Sequence, residues 1–278
     1  LFQPTHRPMD TWRANAIGTE RVLRAAAEAK VGSVVHASSV GVYSPGPADG
    51  HLVDETWPSH SNPAAAYGRE KAYAERLLDR FEAEHPDTRV VRLRPAFIFR
   101  REAATSQRRL FMGPFVPNRL FAPGRLPFLP VPAGLRFQVL HTDDVAEAYR
   151  RAAIGDAHGA FNLAADDTVD AHLLARVLDT TPVSLPPSLV RLAVATGWHA
   201  HVIPAEPHLY DLFLQLPLMD TSRARSQLGW SPRRSALEAL DALFTGLSTG
   251  AGGDTPPLEE DSTTGRVAEL ATGVGERA

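Results

Sequence analysis

The sequence predicts an α/β fold: a parallel sheet flanked by helices, joined to a smaller lobe of mixed structure. Three observations carry this expectation. Helix and strand patterns alternate over the first 100 residues. The strand runs are short, β-branched and continuous rather than alternating, as in sheets covered on both faces. From about residue 100 the alternation gives way to Pro-punctuated loop and scattered helices.

Taken in order, residues 10–30 read as a helix, with Ala14, Ile17, Val22, Ala25 and Ala26 at helical spacings and Gly32 as the stop. "SVVHASS" (33–39) reads as a buried strand ended by the loop "SPGPADG". Residues 63–84 form a second helix, with Ala66, Tyr73, Leu77 and Phe81 on or near one face, and "TRVVRLRP" (88–95) is a strand stopped by Pro95. "RFQVLH" and "AFNLA" then read as strands, "DDVAEAYRRAAI" as a helix, and further helices are expected near 170–179, 187–197, 221–228 and 235–248. The expected organisation is a sheet domain over 1–100 with 136–165 returning to it. A substrate lobe from 101–135 and 166–248 and a polar, Gly/Pro-rich, disordered tail over 249–278 complete it.

Composition narrows the classes of function. Hydrophobic content of 44%, charged content of 22% and net charge −3 are those of an ordinary globular chain and give no electrostatic case for nucleic acid. Zero Cys removes disulfides, thiolate catalysis and Cys-ligated zinc; it fits a cytoplasmic location, and no metal site is expected. No apolar run approaches the ~20 residues that span a bilayer, so no membrane partner is expected. "LFQPTHRPMD" is no signal peptide and no natural start, which suggests that something lies upstream.

The chemistry is concentrated in "YGREK". Positions i and i+4 share a helix face, so Tyr67 and Lys71 can meet one ligand. A free Tyr titrates near 10, too high for a base at neutral pH. An ammonium ~5 Å away at an effective dielectric near 20 contributes roughly 3 kcal/mol, or about two pKa units. Twenty-eight positions earlier, Ser38 and Ser39 end a strand, where open α/β sheets bind ligands. Alone, each feature is also compatible with a solvated helix face or the start of a turn.

Together these segments resemble the extended short-chain dehydrogenase/reductases, and more closely their NAD-dependent epimerase/dehydratase group. The resemblance runs through "NAIGTERVLRAA" (15–26), "SS-x-x-x-Y", "Y-x-x-x-K", "R-P-x-x-I-F", "LHTDDVAEAYRRA", "FNLAADD" and "DTSRARSQLGWSP" (220–232), in the family's order. It implies a Rossmann-like sheet, NAD or NADP as cofactor and a small-molecule substrate. It also implies a homodimer through helices 10–30 and 63–84. By the same resemblance Tyr67 is the catalytic acid/base, and Lys71 bonds the nicotinamide ribose and depresses the Tyr67 pKa. Ser39 positions substrate, Ala37, Ser38, Arg94 and Pro95 line the nicotinamide pocket, and Asn15 approaches the cofactor phosphates. For Asn15 a capping or packing role stays equally open.

Two departures matter. The family's G-x-x-G-x-x-G turn and the acidic residue about 20 positions beyond it are missing; "GAGGDT" (250–255) and "GVGERA" (273–278) neither follow a strand nor open a helix. Residue 1 corresponds to the loop after the family's fourth strand, so on the order of 60 residues of the mononucleotide-binding half are expected outside this sequence. The chain alone is then expected to bind NAD(P) poorly and to be unstable. Second, the family's nucleotide-sugar members place a phosphate-meeting Arg four residues before the His of the H-x-x-D segment. Here Arg136 stands five before His141, and one residue of offset flips a strand side chain to the other face. No R-x-G-D segment precedes Asp220. Arg100, Arg101, Arg108 and Arg109 either replace that grip or form a solvated face, and His141 and Asp144 read as structural.

The expected function is an NAD(P)-dependent epimerase/dehydratase-type oxidoreductase acting on a hydroxyl or keto carbon, of a sugar or nucleotide sugar. The competing readings are a non-catalytic dinucleotide-sensing or interaction protein on the same fold, and an inactive remnant.

Overall fold

A computed structural model describes residues 6–274. The first helical stretch comprises α1 (Pro8–Trp12), a π turn (Arg13–Ile17) and α2 (Gly18–Glu28). A π turn carries one residue more than an α turn. The buried face accordingly holds Asn15, Ala16 and Leu23, whereas Ile17 and Val22 of the expected stripe are exposed. The helix closes before Gly32: Lys30 takes the left-handed conformation (φ 50°), with Val31 N donating to Ala26 O.

Strand β1 (Ser33–Ala37) leads through a loop to α3 (Ala66–Glu84) and then β2 (Arg89–Pro95) and β3 (Phe97–Phe99). Helix α3 buries Leu78 and Phe81 against Leu23 and Val90, while Tyr73 is exposed and lies tilted against Trp12, the rings 4.9 Å apart at 44°. Helix α4 (Ala104–Phe111), β4 (Leu129–Pro132), β5 (Arg136–Phe137), β6 (Val139–His141), α5 (Thr142–Ile154) and β7 (Gly159–Leu163) follow. The main sheet is parallel, in the order β1–β2–β7, and the second edge of β1 has no partner strand among the described residues. Its core joins Val91, Leu93, Phe161 and Leu163 to Leu140, Val145 and Ala148.

The single strand expected over "RFQVLH" is split. Residues of β5 pair antiparallel with β8 (Val169–Asp170), and β6 pairs parallel with β3. Gln138 sits between them and clamps its amide to the Met219 backbone, donating to the carbonyl at 3.1 Å and accepting from N–H at 2.7 Å. The remaining elements are α6 (Ala171–Val177), β9 (Pro182–Leu185, parallel to β4), α7 (Pro187–His199), α8 (Pro207–Gln215), α9 (Ser222–Gln227) and α10 (Ala236–Thr249). Asp144 is structural, as expected: it accepts from Arg233 N and Arg234 N at 3.0 Å each, and its carbonyl accepts from the buried Trp230 indole. His141 caps α5 by accepting from Asp143 N.

The tail expected to be disordered is folded through residue 274 and forms α11 (Thr263–Ala271). Its acidic residues are partners for the arginines of α4. Arg108, 1% exposed, bonds Glu269 through both terminal nitrogens (2.6 and 3.1 Å), Asp261 at 3.2 Å and the Gly113 carbonyl at 2.7 Å. Arg109 also faces Glu269, so neither side chain is a solvated face or an open phosphate grip. Polarity alone made this segment look unable to pack, because Glu269 and Asp261 meet Arg108 some 150 positions away, while Arg266 pairs with Asp261 within the segment. The last four residues of the expected tail lie outside the described ones.

Candidate active site

The loop after β1 and the start of α3 meet at the C-terminal end of the sheet. Their close approach depends on Gly68: a Cβ there would lie 1.9 Å from Ser61 Oγ and 3.2 Å from the Gly41 carbonyl. Ser61 holds the same junction, donating its hydroxyl to Gly41 O at 2.8 Å. Ser39, extended at φ −166°, caps the short turn Val40–Val42 by accepting from Gly41 N at 3.0 Å. That leaves its proton free to serve Tyr67, whose phenol it hydrogen-bonds.

Tyr67, Lys71, Ser39 and Ala37 are thus brought together, as the sequence implied. The electrostatics differ from expectation. Burial pushes the Tyr67 phenol up to about 12; the Ser39 hydrogen bond pulls it down and the Glu70 charge adds to the rise. The Lys71 ammonium donates to the Ala37 carbonyl at 2.7 Å and stands 5.8 Å from the Tyr67 ring centroid. Burial lowers the Lys71 pKa, opposed by Glu70 and Glu75.

Three other expected site residues have interior partners. Arg94 is 5% exposed, and its side chain bonds Glu75 (2.9 and 2.5 Å), the Tyr43 hydroxyl (2.9 Å) and the Glu55 carbonyl (3.0 Å). Ser38 donates to the same Glu75 at 2.5 Å. Burial alone would raise the Glu75 carboxyl, but Arg94 and Ser38 hold it below the usual range. The chain of bonds continues from Tyr43 to Asn162 at 2.6 Å, and Asn162 donates to the Val53 and Asp220 carbonyls. Asn15 donates to Glu70 at 2.6 Å, beside a second bond to Glu70 from Thr11 at 2.6 Å. The hydrogen bond of its amide to Glu70 joins α3 to the π turn. Pro95 closes β2 opposite Leu163.

Sequence reasoning missed Glu70, Glu75 and α8. Both glutamates are 2% exposed. Helix α8 reaches the site through Glu206, whose carboxylate accepts from Ala66 N at 3.3 Å, one residue from Tyr67. Among the described residues no His/Asp/Glu group could hold a metal, and no helix is long and apolar enough to cross a membrane.

With this geometry in view, comparison with known proteins assigns the class. The NAD dependent epimerase/dehydratase family matches residues 4–164, and the chain belongs to that family. An uncharacterised protein of Mycobacterium tuberculosis is 27% identical over 267 residues, 95% of this chain and 67% of the relative. A 4-hydroxy-2-methyl-3-oxo-4-farnesyl-3,4-dihydroquinoline-1-oxide ketoreductase of Stigmatella aurantiaca is 29% identical over 249 residues, 83% of this chain and 70% of the relative. The solved UDP-glucose 4-epimerase of Thermus thermophilus in complex with NAD superposes with TM-score 0.61 at 18% identity, over 89% of this chain and 75% of that one. These likenesses confirm the Rossmann-like α/β fold and NAD(P) as the family's cofactor, solved structures of this fold carrying NAD or NADPH. The residues present fit the nicotinamide end of such a cofactor: Tyr67 and Lys71 converge on the end of an edge strand whose Ala37 is exposed.

Proposed function

We propose that this chain is an NAD(P)-dependent oxidoreductase acting on a hydroxyl or keto carbon, with Tyr67 as the proton-transfer group. The observation that carries this is the Ser39–Tyr67–Lys71 constellation, a phenol bonded by one hydroxyl and flanked by an ammonium fixed to the strand end. NAD(P)⁺, when bound, supplies the hydride acceptor and a ring charge that favours the phenolate. Ala37, Ser38 and Lys71 lie where its nicotinamide riboside would be held. In oxidation the substrate O–H and carbinol C–H bonds break and a C=O bond forms. The Tyr67 phenolate would take the hydroxyl proton at Oη, and the nicotinamide, when held beside Ala37, Ser38 and Lys71, would supply the acceptor for the hydride and its electron pair. Ser39 orients the substrate oxygen. Arg94, Glu75 and Ser38 position the strand end and do not touch substrate. The ketoreductase relative supports alcohol/ketone chemistry with net cofactor turnover.

The test is absorbance at 340 nm with alcohols and ketones at saturating cofactor. Net NAD(P)H formation or consumption supports a dehydrogenase or reductase. Isomerisation with no net change assigns an epimerase, and Tyr67→Phe activity equal to that of the unaltered chain removes Tyr67 from the mechanism.

A further inference from the structure

Three phenyl rings, from β3, β5 and α8, pack together at the edge of the apolar cluster of Val131, Val139 and Leu240. Phe97 stands two residues beyond Pro95, at the reactive end of β2. Phe137 lies on β5 four residues before His141, the position at which the sequence resemblance expected a phosphate-meeting cation. Phe213 lies on α8, whose first residues touch the neighbour of Tyr67 through Glu206. The rings pack edge to face: Phe97–Phe137 at 5.6 Å and 86°, Phe97–Phe213 at 5.2 Å and 83°, Phe137–Phe213 at 5.2 Å and 61°. Phe137 is buried, but Phe97 and Phe213 keep part of their surface open. Seven residues of helix separate Glu206 from Phe213, so the cluster begins roughly 10 Å from the Tyr67 end of α8.

The charges around this surface are wrong for a diphosphate. The register of β5 is locked by the Gln138 clamp on Met219, so Phe137 faces inward and Arg136 lies exposed with its guanidinium over Gly50. Arg94 is committed to Glu75 and Arg108 to Glu269 and Asp261. The N-terminus of α3, otherwise an anion site, is occupied by the Glu206 carboxylate, which would repel a phosphate. Slipping β5 by one residue to recover an inward arginine would break both Gln138 bonds.

We propose that the substrate presents its hydroxyl or ketone on an uncharged, lipid-like body that rests on Phe97, Phe137 and Phe213, and that it is not a nucleoside diphosphate sugar. This rests on the function proposed above, with the reacting carbon at Tyr67 and the apolar body extending along α8.

Equilibrium dialysis of the full chain with farnesol and with UDP-glucose, at saturating NADP⁺, tests it. Saturable farnesol binding is expected, undisturbed by excess UDP-glucose. Phe213→Asp should weaken it at least tenfold and Phe213→Leu should retain it, with unchanged circular dichroism in both. Saturable UDP-glucose binding, absence of saturable farnesol binding, or farnesol binding indifferent to Phe213→Asp overturns the proposal. The Tyr67→Phe variant separates the two inferences. Farnesol that binds but is turned over equally by this variant supports the apolar subsite and removes the proposed role of Tyr67.

Discussion

Lys71 Nζ donates to the carbonyl of Ala37 at 2.7 Å, so the ammonium is tied to the last residue of β1 rather than aimed at the phenol four residues before it. The tie fixes the charge at the mouth of the site, where a ribose hydroxyl can share it. It also explains why burial governs Tyr67 without cofactor, holding the phenol neutral until an additional positive charge arrives.

The titration of Tyr67 follows directly. Its phenol is expected to ionise near 12, above the usual value of 10. The difference between the 295 nm titrations of the unaltered chain and Tyr67→Phe isolates it from Tyr43 and Tyr149, which are also pushed to about 12. Ser39→Ala should move it higher still, because the lost hydrogen bond favours the phenolate. A Tyr67 difference titration centred at 10 would contradict the desolvated environment described here.

Glu75 and Arg94 are a buried pair, with Ser38 and Tyr43 filling the remaining bonds. Removing one member strands the other charge, so Glu75→Ala or Arg94→Met should each cost about 3–5 kcal/mol in urea unfolding. The paired apolar replacement, Glu75→Leu with Arg94→Met, should recover much of that loss. It should nevertheless depress turnover, since Ser38 loses its anchor beside Ser39.

His36 on β1 is held neutral: burial, with the Lys71 and Arg92 charges, lowers it to about 4, against 6.5 in the unfolded chain. A depressed histidine stabilises the fold fully above its unfolded pKa, and the contribution disappears as pH falls from 6.5 through 4. The loss approaches ~3 kcal/mol. Urea unfolding from pH 7.5 to 4 should show this decline, and His36→Phe should flatten it. An equal slope in that variant would assign the acid sensitivity to other groups.

The C-terminal segment is fastened by Arg108. Arg108→Met leaves Glu269 buried without its principal cation and should cost about 3–5 kcal/mol. Protease cleavage within 250–262 should accelerate before the rest of the chain is cut, whereas exposed Arg125→Met should change neither readout.

Much of this was legible in the sequence, and what was hidden has a common cause. The β1–α3–β2 order follows from local pattern, because each element is read within itself, whereas Ser39, Tyr67 and Lys71 were grouped by the family resemblance. Glu70, Glu75 and Arg108 were not readable, since a charged residue discloses its burial only through a partner remote in sequence. The π turn at Asn15 hid in the same way: one additional residue in a helical turn moved Leu23 inward and Val22 outward without altering the composition. Helix α8 was not among the expected helices, although its N-terminal Glu206 reaches Ala66 beside Tyr67.

The most direct test of the account is the pH dependence of kcat/KM for the unaltered chain and Tyr67→Phe, with one alcohol substrate at saturating NAD(P)⁺. A fall of at least ~10²-fold on loss of the phenol is expected, with the alkaline rise of the unaltered chain absent from the variant and folding intact by circular dichroism. Equal kcat/KM values with parallel pH profiles would contradict the assignment of Tyr67 as the group that moves the proton.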